Sequence, residues 1–191
     1  LYNKNTYFFK ISDIHYEIDM SLLGCNSKLL WNEVYNQIID IILAKSENTG
    51  IIVCKYFQEI GYELIIITNQ SGIAKGFYKK EDFNSLTKWM KRQFKIQSID
   101  ILDVFYCPHD EDSKCLCRKP KPGMLLESKD KYGIDMNNSW MIGDKETDIQ
   151  AANAAGIRNT ILVKSGHKIN EFNSKSKYII NSIKESIEII I

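Results

Sequence analysis

Two short runs could gather ligand-type side chains around one point. Cys107-Pro-His109 and Cys115-Leu-Cys117 each set two such side chains one residue apart, and five residues separate the pairs. A turn of that length lets both pairs converge on a single ion. Three soft thiolates and one imidazole suit Zn2+ in tetrahedral coordination. Four protein ligands fill the sphere and leave no position for a substrate, so the expected metal is structural. Incidental burial of the thiols is the competing reading, but so short and polar a loop offers no core to hide them. The three prolines, Pro108, Pro120 and Pro122, fall in the same stretch and mark 107–122 as a rigid loop.

Three more polar clusters invite a chemical reading. Thr68-Asn-Gln-Ser-Gly72 follows the apolar run Leu64–Ile67 directly. A hydroxyl and successive backbone N–H groups at a strand end make a receptor for phosphate oxygens, although the same residues would also form an ordinary polar turn. Arg118-Lys-Pro-Lys-Pro122 adds two or three cations beside the thiol pair. Arginine grips phosphate in a bidentate way. Alone the run could be a solvated basic turn, but a metal next to it would hold its cations still. In Gly143-Asp144-Lys-Glu-Thr-Asp148, Asp144 is a hard oxygen donor suited to Mg2+. Asp148 could accept hydrogen bonds in the site or simply cap the helix that follows.

The elements that must position these clusters alternate from about residue 50 onward. Apolar spacing predicts helices over 52–60, 81–96, 124–132 and 148–155, with Gly61, Gly133 and Gly156 as stops. Short apolar runs predict strands over 63–68, 99–106, 140–142 and 160–163, then a last strand at 178–180 and a helix over 182–190. Strict alternation implies right-handed crossovers and a mainly parallel, doubly wound sheet covered on both faces. In such a sheet the site lies beyond the carboxyl ends of the strands, where all the polar clusters fall. Residues 1–49 read as a separate segment. Thr6 to Ser12 could be a strand, Ser27 to Ala44 is an amphipathic helix, and neither carries evident chemistry.

Composition narrows the function classes. With 191 residues, 44% of them hydrophobic, the chain suits one domain, and 25 Lys+Arg against 24 Asp+Glu remove the electrostatic case for a nucleic-acid binder. No apolar run approaches the roughly 20 residues that span a bilayer. The first ten residues lack the cleavage site and apolar stretch of a signal peptide. An odd count of five cysteines speaks against a disulfide framework. A cytoplasmic protein, monomeric and without a membrane or nucleic-acid partner, is the expectation.

Together these residues resemble the haloacid dehalogenase superfamily of phosphatases. Thr68 matches its second motif, Lys119 its third, and Gly143-Asp144-Lys-Glu-Thr-Asp148 its fourth. Within it, Asn69-Gln-Ser-Gly-Ile-Ala-Lys-Gly76, Cys107-Pro-His109, Cys115-Leu-Cys-Arg-Lys-Pro-Lys-Pro-Gly-Met124 and Gly143-Asp-Lys145 are similar to the D-glycero-D-manno-heptose 1,7-bisphosphate 7-phosphatases. Histidinol-phosphate phosphatases are close relatives with a similarly compact zinc loop.

The resemblance implies an α/β, doubly wound (Rossmann-like) parallel sheet of haloacid dehalogenase type, with no large cap domain, over residues 50–191. It implies Mg2+-dependent removal of the 7-phosphate from a heptose 1,7-bisphosphate, in nucleotide-heptose synthesis for surface glycans. Thr68 and Lys119 would stabilise the transferring phosphoryl group. Asn69, Gln70, Ser71, Arg118 and Lys145 would line the substrate site, Asp144 would bind Mg2+, and Cys107, His109, Cys115 and Cys117 would bind zinc.

One departure stands out. The family's first strand ends in Asp-x-Asp-Gly, whose first Asp attacks phosphorus while the second is general acid and base. At the family's spacing before Thr68 this chain reads Ser21-Leu-Leu-Gly-Cys-Asn26, without a carboxylate. Asp13, with His15 two residues on, and Asp19 are the nearest substitutes, and Asp13 is the candidate nucleophile. A catalytically impaired homologue that binds a phosphosugar, and a histidinol-phosphate phosphatase, are the alternative expectations.

Overall fold

A computed structural model describes residues 6–9, 49–164 and 170–191. Six strands form one sheet: β1 (Thr6–Phe9), β2 (Glu63–Asn69), β3 (Ile101–Cys107), β4 (Trp140–Gly143), β5 (Asn159–Val163) and β6 (Tyr178–Ile180). Their order across the sheet is β3-β2-β1-β4-β5-β6, and every pairing is parallel. The order reverses beside β1, which places a crevice at the carboxyl ends of β1 and β4. The helices are α1 (Thr49–Glu59), α2 (Lys80–Ile96), α3 (Gly123–Tyr132), α4 (Glu146–Ala155) and the single-turn α5 (Ser186–Ile189).

Side chains alternate along β2 and β4 and feed two cores. On one face, Leu64 and Ile66 of β2, Ile142 of β4 and Ile161 of β5 meet Val53, Cys54 and Phe57 of α1 and Ile190 near the chain end. The Tyr56 hydroxyl ties that end down by donating to the Ile190 carbonyl at 3.0 Å. On the other face, Ile65, Ile67 and Met141 pack against Met124 and Leu125 of α3 and the small residues Ala151, Ala152 and Ala155 of α4.

Several element limits differ from the sequence expectation, the first helix starting at Thr49 rather than 52, and three of the differences have a clear local reason. Strand β3 starts at Ile101 rather than Ile99. Ile99 is fully buried but belongs to the end of α2: Ser98 takes φ 62° and the Ile99 N–H donates back to the Phe94 carbonyl at 2.9 Å. Helix α4 begins two residues before Asp148, because that carboxylate reaches back to cap it. The expected last helix opens as a 3-10 turn over Ile183–Glu185, with Glu185 accepting from the Ser182 N–H at 3.0 Å, before the short α5. The expected stops at Gly133 and Gly156 do end α3 and α4, with φ of 66° and 93°. The 27–44 helix, Asp13, His15 and Asp19 lie outside the described residues.

Candidate functional site

Register fixes the frame of the site. Phe9 pairs with Ile66 on one side and Ile142 on the other. Thr68 and Asp144 therefore stand at matching levels, each two residues beyond a partner of Phe9. Two strand spacings, about 10 Å, separate their backbones. Both lie at the carboxyl edge of the sheet and both are buried.

One residue before Thr68, the Ile67 carbonyl meets a cation that the protein encloses. Lys119 is 3% exposed, and its Nζ is 2.7 Å from Oδ1 of Asp148, which is 0% exposed. The same Nζ donates to the Ile67 carbonyl at 2.8 Å. The other oxygen of Asp148, Oδ2, accepts from the Lys145 N–H at 3.1 Å and so caps α4. Asp148 thus performs both tasks that its spacing allowed. A buried charge pair is kept only where its remaining contacts are good, and here the backbone supplies them. Gly143 makes the approach possible: a Cβ there would lie 2.5 Å from the Asp148 Cβ.

The backbone of Lys119 is held as firmly as its side chain. Asn69 donates its amide N–H to the Lys119 carbonyl at 3.2 Å and accepts from the Lys119 N–H at 3.1 Å. The turn after β2 is tied to the cysteine loop as well. The Gln70 N–H donates to the Cys107 carbonyl at 2.7 Å, and the Ala74 N–H to the Pro108 carbonyl at 3.2 Å. The Gln70 N–H is therefore spent within the fold rather than offered to a ligand. The Gln70 amide turns inward too, donating to Thr68 Oγ1 at 3.0 Å and accepting from the Tyr78 hydroxyl at 2.6 Å.

Cys107, His109, Cys115 and Cys117 come together as their spacing predicts, with all four ligand atoms within 4.8 Å of one another. The separations are 3.0 Å for Cys117–Cys107 and 3.6 Å for Cys107–Cys115 between sulfurs, and 3.4 and 3.3 Å from His109 Nδ1 to Cys107 and Cys117. A zinc ion with bonds of about 2.0–2.3 Å spans tetrahedron edges of about 3.3–3.8 Å. The donor set fits that ion in type and nearly in size. Burial, reinforced by the Cys117 thiol, pushes Cys107 up to about 12. At Cys115 burial is outweighed by the Arg118 backbone and the two neighbouring thiols, and its thiol falls to about 6.

The loop locks onto the basic run beside it. Arg118 donates to the His109 carbonyl at 3.2 Å and pairs with Glu111 at 3.0 Å, while Lys121 donates to the Cys115 carbonyl at 2.6 Å. The Gly123 N–H donates to the Leu116 carbonyl at 3.1 Å. A Cβ on Gly123 would lie 2.3 Å from that oxygen, so the loop rests directly on the start of α3.

Residue type and spacing pointed to the Thr68–Gly72 turn, the Arg118–Pro122 run, Asp144 and the metal quartet. They gave no sign of the Asn69 clasp, the Lys119–Asp148 pair or Tyr78, whose partners come from other loops or lie across a turn. Arg118, Ser71 and Lys145 all sit on these same loops, half-buried. Asp144, the expected Mg2+ ligand, is a buried carboxylate just past the end of β4; Mg2+ typically takes only one or two carboxylates from protein. Among the described residues no helix is long and apolar enough to cross a membrane.

Residues 116–186 match the HAD-hydrolase-like family model. The chain is 45% identical over 124 residues to a D-glycero-alpha-D-manno-heptose-1,7-bisphosphate 7-phosphatase of Photorhabdus laumondii, covering 61% of this chain and 68% of that one. It is 42% identical over 138 residues to the beta-anomer 7-phosphatase of Pasteurella multocida, covering 69% and 75%. Among solved structures, D,D-heptose 1,7-bisphosphate phosphatase of B. bronchiseptica, complexed with magnesium and phosphate, aligns with a TM-score of 0.62 at 25% identity, covering 72% of this chain and 79% of that one.

Proposed function

We propose, from the premise that this chain belongs to the heptose 1,7-bisphosphate 7-phosphatases of the haloacid dehalogenase-like hydrolases, that it removes the 7-phosphate of a D-glycero-D-manno-heptose 1,7-bisphosphate. The observation that carries this reading is Lys119, a buried ammonium clamped between Asp148 and the Ile67 carbonyl at the end of a zinc-type loop. The Thr68 hydroxyl and the Lys119 ammonium bind the phosphoryl oxygens and offset the charge that gathers there during transfer. Asn69 holds the Lys119 peptide, and Arg118 with Lys145 faces the rest of the substrate. Asp144 is the described carboxylate suited to hold Mg2+, which when bound would neutralise phosphoryl charge. Cys107, His109, Cys115 and Cys117 would hold structural Zn2+.

Asp13, the first carboxylate after β1, is assigned as the nucleophile. Its oxygen would attack phosphorus and break the bond to the heptose 7-oxygen, which takes a proton from water, and water would then hydrolyse the aspartyl phosphate to free phosphate and the carboxylate. A net charge of +1 supports a small phosphorylated sugar as partner rather than nucleic acid. The reaction belongs in the cytoplasm, in nucleotide-heptose synthesis for lipopolysaccharide and related surface glycans.

The test is phosphate release from both anomers of heptose 1,7-bisphosphate and from histidinol phosphate, with Mg2+ or with EDTA, beside Asp13→Asn and Asp19→Asn. The expected result is Mg2+-dependent loss of one phosphate from the heptose, little from histidinol phosphate, and none in Asp13→Asn. Folded, zinc-loaded protein that binds phosphate without turnover would instead make this chain a binding homologue, the reading favoured by the missing Asp-x-Asp.

A further inference from the structure

Tyr78 lies outside every motif that the sequence singles out, yet it reaches the site through a chain of two hydrogen bonds. Its hydroxyl donates to Gln70 Oε1 at 2.6 Å, and Gln70 Nε2 donates to Thr68 Oγ1 at 3.0 Å. The two lengths themselves orient the amide. A separation of 2.6 Å belongs to O–H···O and is short for N–H···O, whereas 3.0 Å is the ordinary N–H···O length.

A threonine hydroxyl has one proton to donate and two lone pairs to accept with. With Gln70 Nε2 donating into it, Thr68 Oγ1 cannot give its proton to the Gln70 side chain and keeps it for another acceptor. Were the amide turned over, Oε1 would face Thr68 and take that proton. The Tyr78 hydroxyl could accept from Nε2 in the turned-over state, but at 2.6 Å it sits at O–H···O distance, too close for an N–H···O bond, and so favours the state in which it donates to Oε1. The fold holds Tyr78 in place. Asp82 accepts the adjacent Lys79 N–H at 2.9 Å, fixing the entry to α2. Gly72 leaves room for the ring, since a Cβ there would lie 2.3 Å from the Tyr78 Cε1.

We propose that Tyr78 is a positioning residue that acts through Gln70 to keep the Thr68 hydroxyl proton directed at the phosphoryl oxygen. The proposal rests on the reading of Thr68 as a phosphoryl-binding residue. It also moves Gln70 from contact with substrate to support of Thr68.

The experiment is a double-mutant cycle on affinity for inorganic phosphate, titrated calorimetrically with Mg2+ present. It compares wild type, Tyr78→Phe, Thr68→Val and the double variant, with melting temperature and zinc content as controls. Tyr78→Phe should weaken phosphate binding about three- to tenfold and Thr68→Val about ten- to a hundredfold. The double variant should match Thr68→Val within about twofold, because Tyr78 has nothing to act on once the hydroxyl is gone. Gly72→Ala, whose Cβ would meet the Tyr78 ring at 2.3 Å and its hydroxyl at 2.8 Å while leaving the Thr68 side chain unaltered, should reproduce the Tyr78→Phe loss. A structural role for Tyr78 would give additive losses in the double variant, and that outcome overturns the proposal. Wild-type affinity in both Tyr78→Phe and Gly72→Ala, with Thr68→Val impaired, overturns it alone. Phosphate affinity that is absent in wild type, or unaffected by Thr68→Val, overturns the reading of the site and this proposal with it.

Discussion

Asn69 grips the peptide of Lys119 from both ends, donating to its carbonyl at 3.2 Å and accepting from its N–H at 3.1 Å across 50 residues of chain. One amide thereby sets where the catalytic-type cation begins, while Asp148 and Ile67 set where it ends. Asn69→Ala removes both bonds from a half-buried peptide. It should lower stability by about 1–3 kcal/mol and weaken phosphate binding more than its distance from the ligand would suggest. Urea denaturation and phosphate titration on the same samples check both halves.

The Lys119–Asp148 pair allows stability to be separated from function. Asp148→Asn strands a buried ammonium and should cost about 3–5 kcal/mol, whereas a pair replaced together leaves no orphaned charge. Lys119→Met with Asp148→Asn keeps an acceptor for the Lys145 N–H, so it should recover most of that loss while phosphate affinity stays absent. If the double variant is no more stable than Asp148→Asn, the pair is not the source of the cost.

The metal loop makes a compositional prediction. Purified protein should carry about one zinc per chain, and Cys115→Ser with Cys117→Ser should lose the metal along with much of the thermal stability. Gly123→Ala keeps all four ligands but forces the Leu116 carbonyl away, so it should lower zinc affinity by itself. Metal analysis after dialysis against a weak chelator distinguishes the three proteins. Stoichiometric iron would count against the zinc assignment.

Cys54 gives the fold an alkaline weakness far from any site. Burial in the first core raises its thiol from 9.0 to about 12. The folded state holds the proton that the unfolded chain gives up, so this contribution is complete below pH 9 and is lost as pH rises toward 12. The slope is about 1.4 kcal/mol per pH unit within that window. Cys54→Ala should flatten the stability curve between pH 9 and 11, measured by denaturant midpoints, at the cost of a small cavity.

What the sequence revealed follows from how far apart the partners lie along the chain. The four metal-ligand candidates span eleven residues, so a local turn unites them and their types alone declare the chemistry. Strand and helix positions were legible because apolar spacing is itself local. Ile99 was misplaced into β3 because a buried apolar residue closing a helix looks like the first residue of a strand. Asp148 was ambiguous because spacing could express the cap on Lys145 but not the ion pair with Lys119, 29 residues away. Asn69 and Tyr78 were invisible as positioning groups for the same reason: a half-buried amide or phenol declares its role only when its partners are in place. The candidate nucleophile Asp13 was readable only through the family's pattern, and this chain departs from that pattern.

Lys119 follows the last thiol of the metal quartet by two residues, and the quartet's two halves are closed on each other across residues 110–114. Those five positions are thereby relieved of any duty to aim the cation. Apart from Glu111, which pairs with Arg118, they can lengthen, shorten or change composition while Lys119 stays where it is, because loop length adds closure entropy only slowly. The metal cluster divides the loop into a part free to diverge and a part that is not. Within residues 110–114, the positions other than Glu111, which holds Arg118, and Ser113, which accepts from the Cys115 N–H, are where an insertion or a graft would disturb the chemistry least.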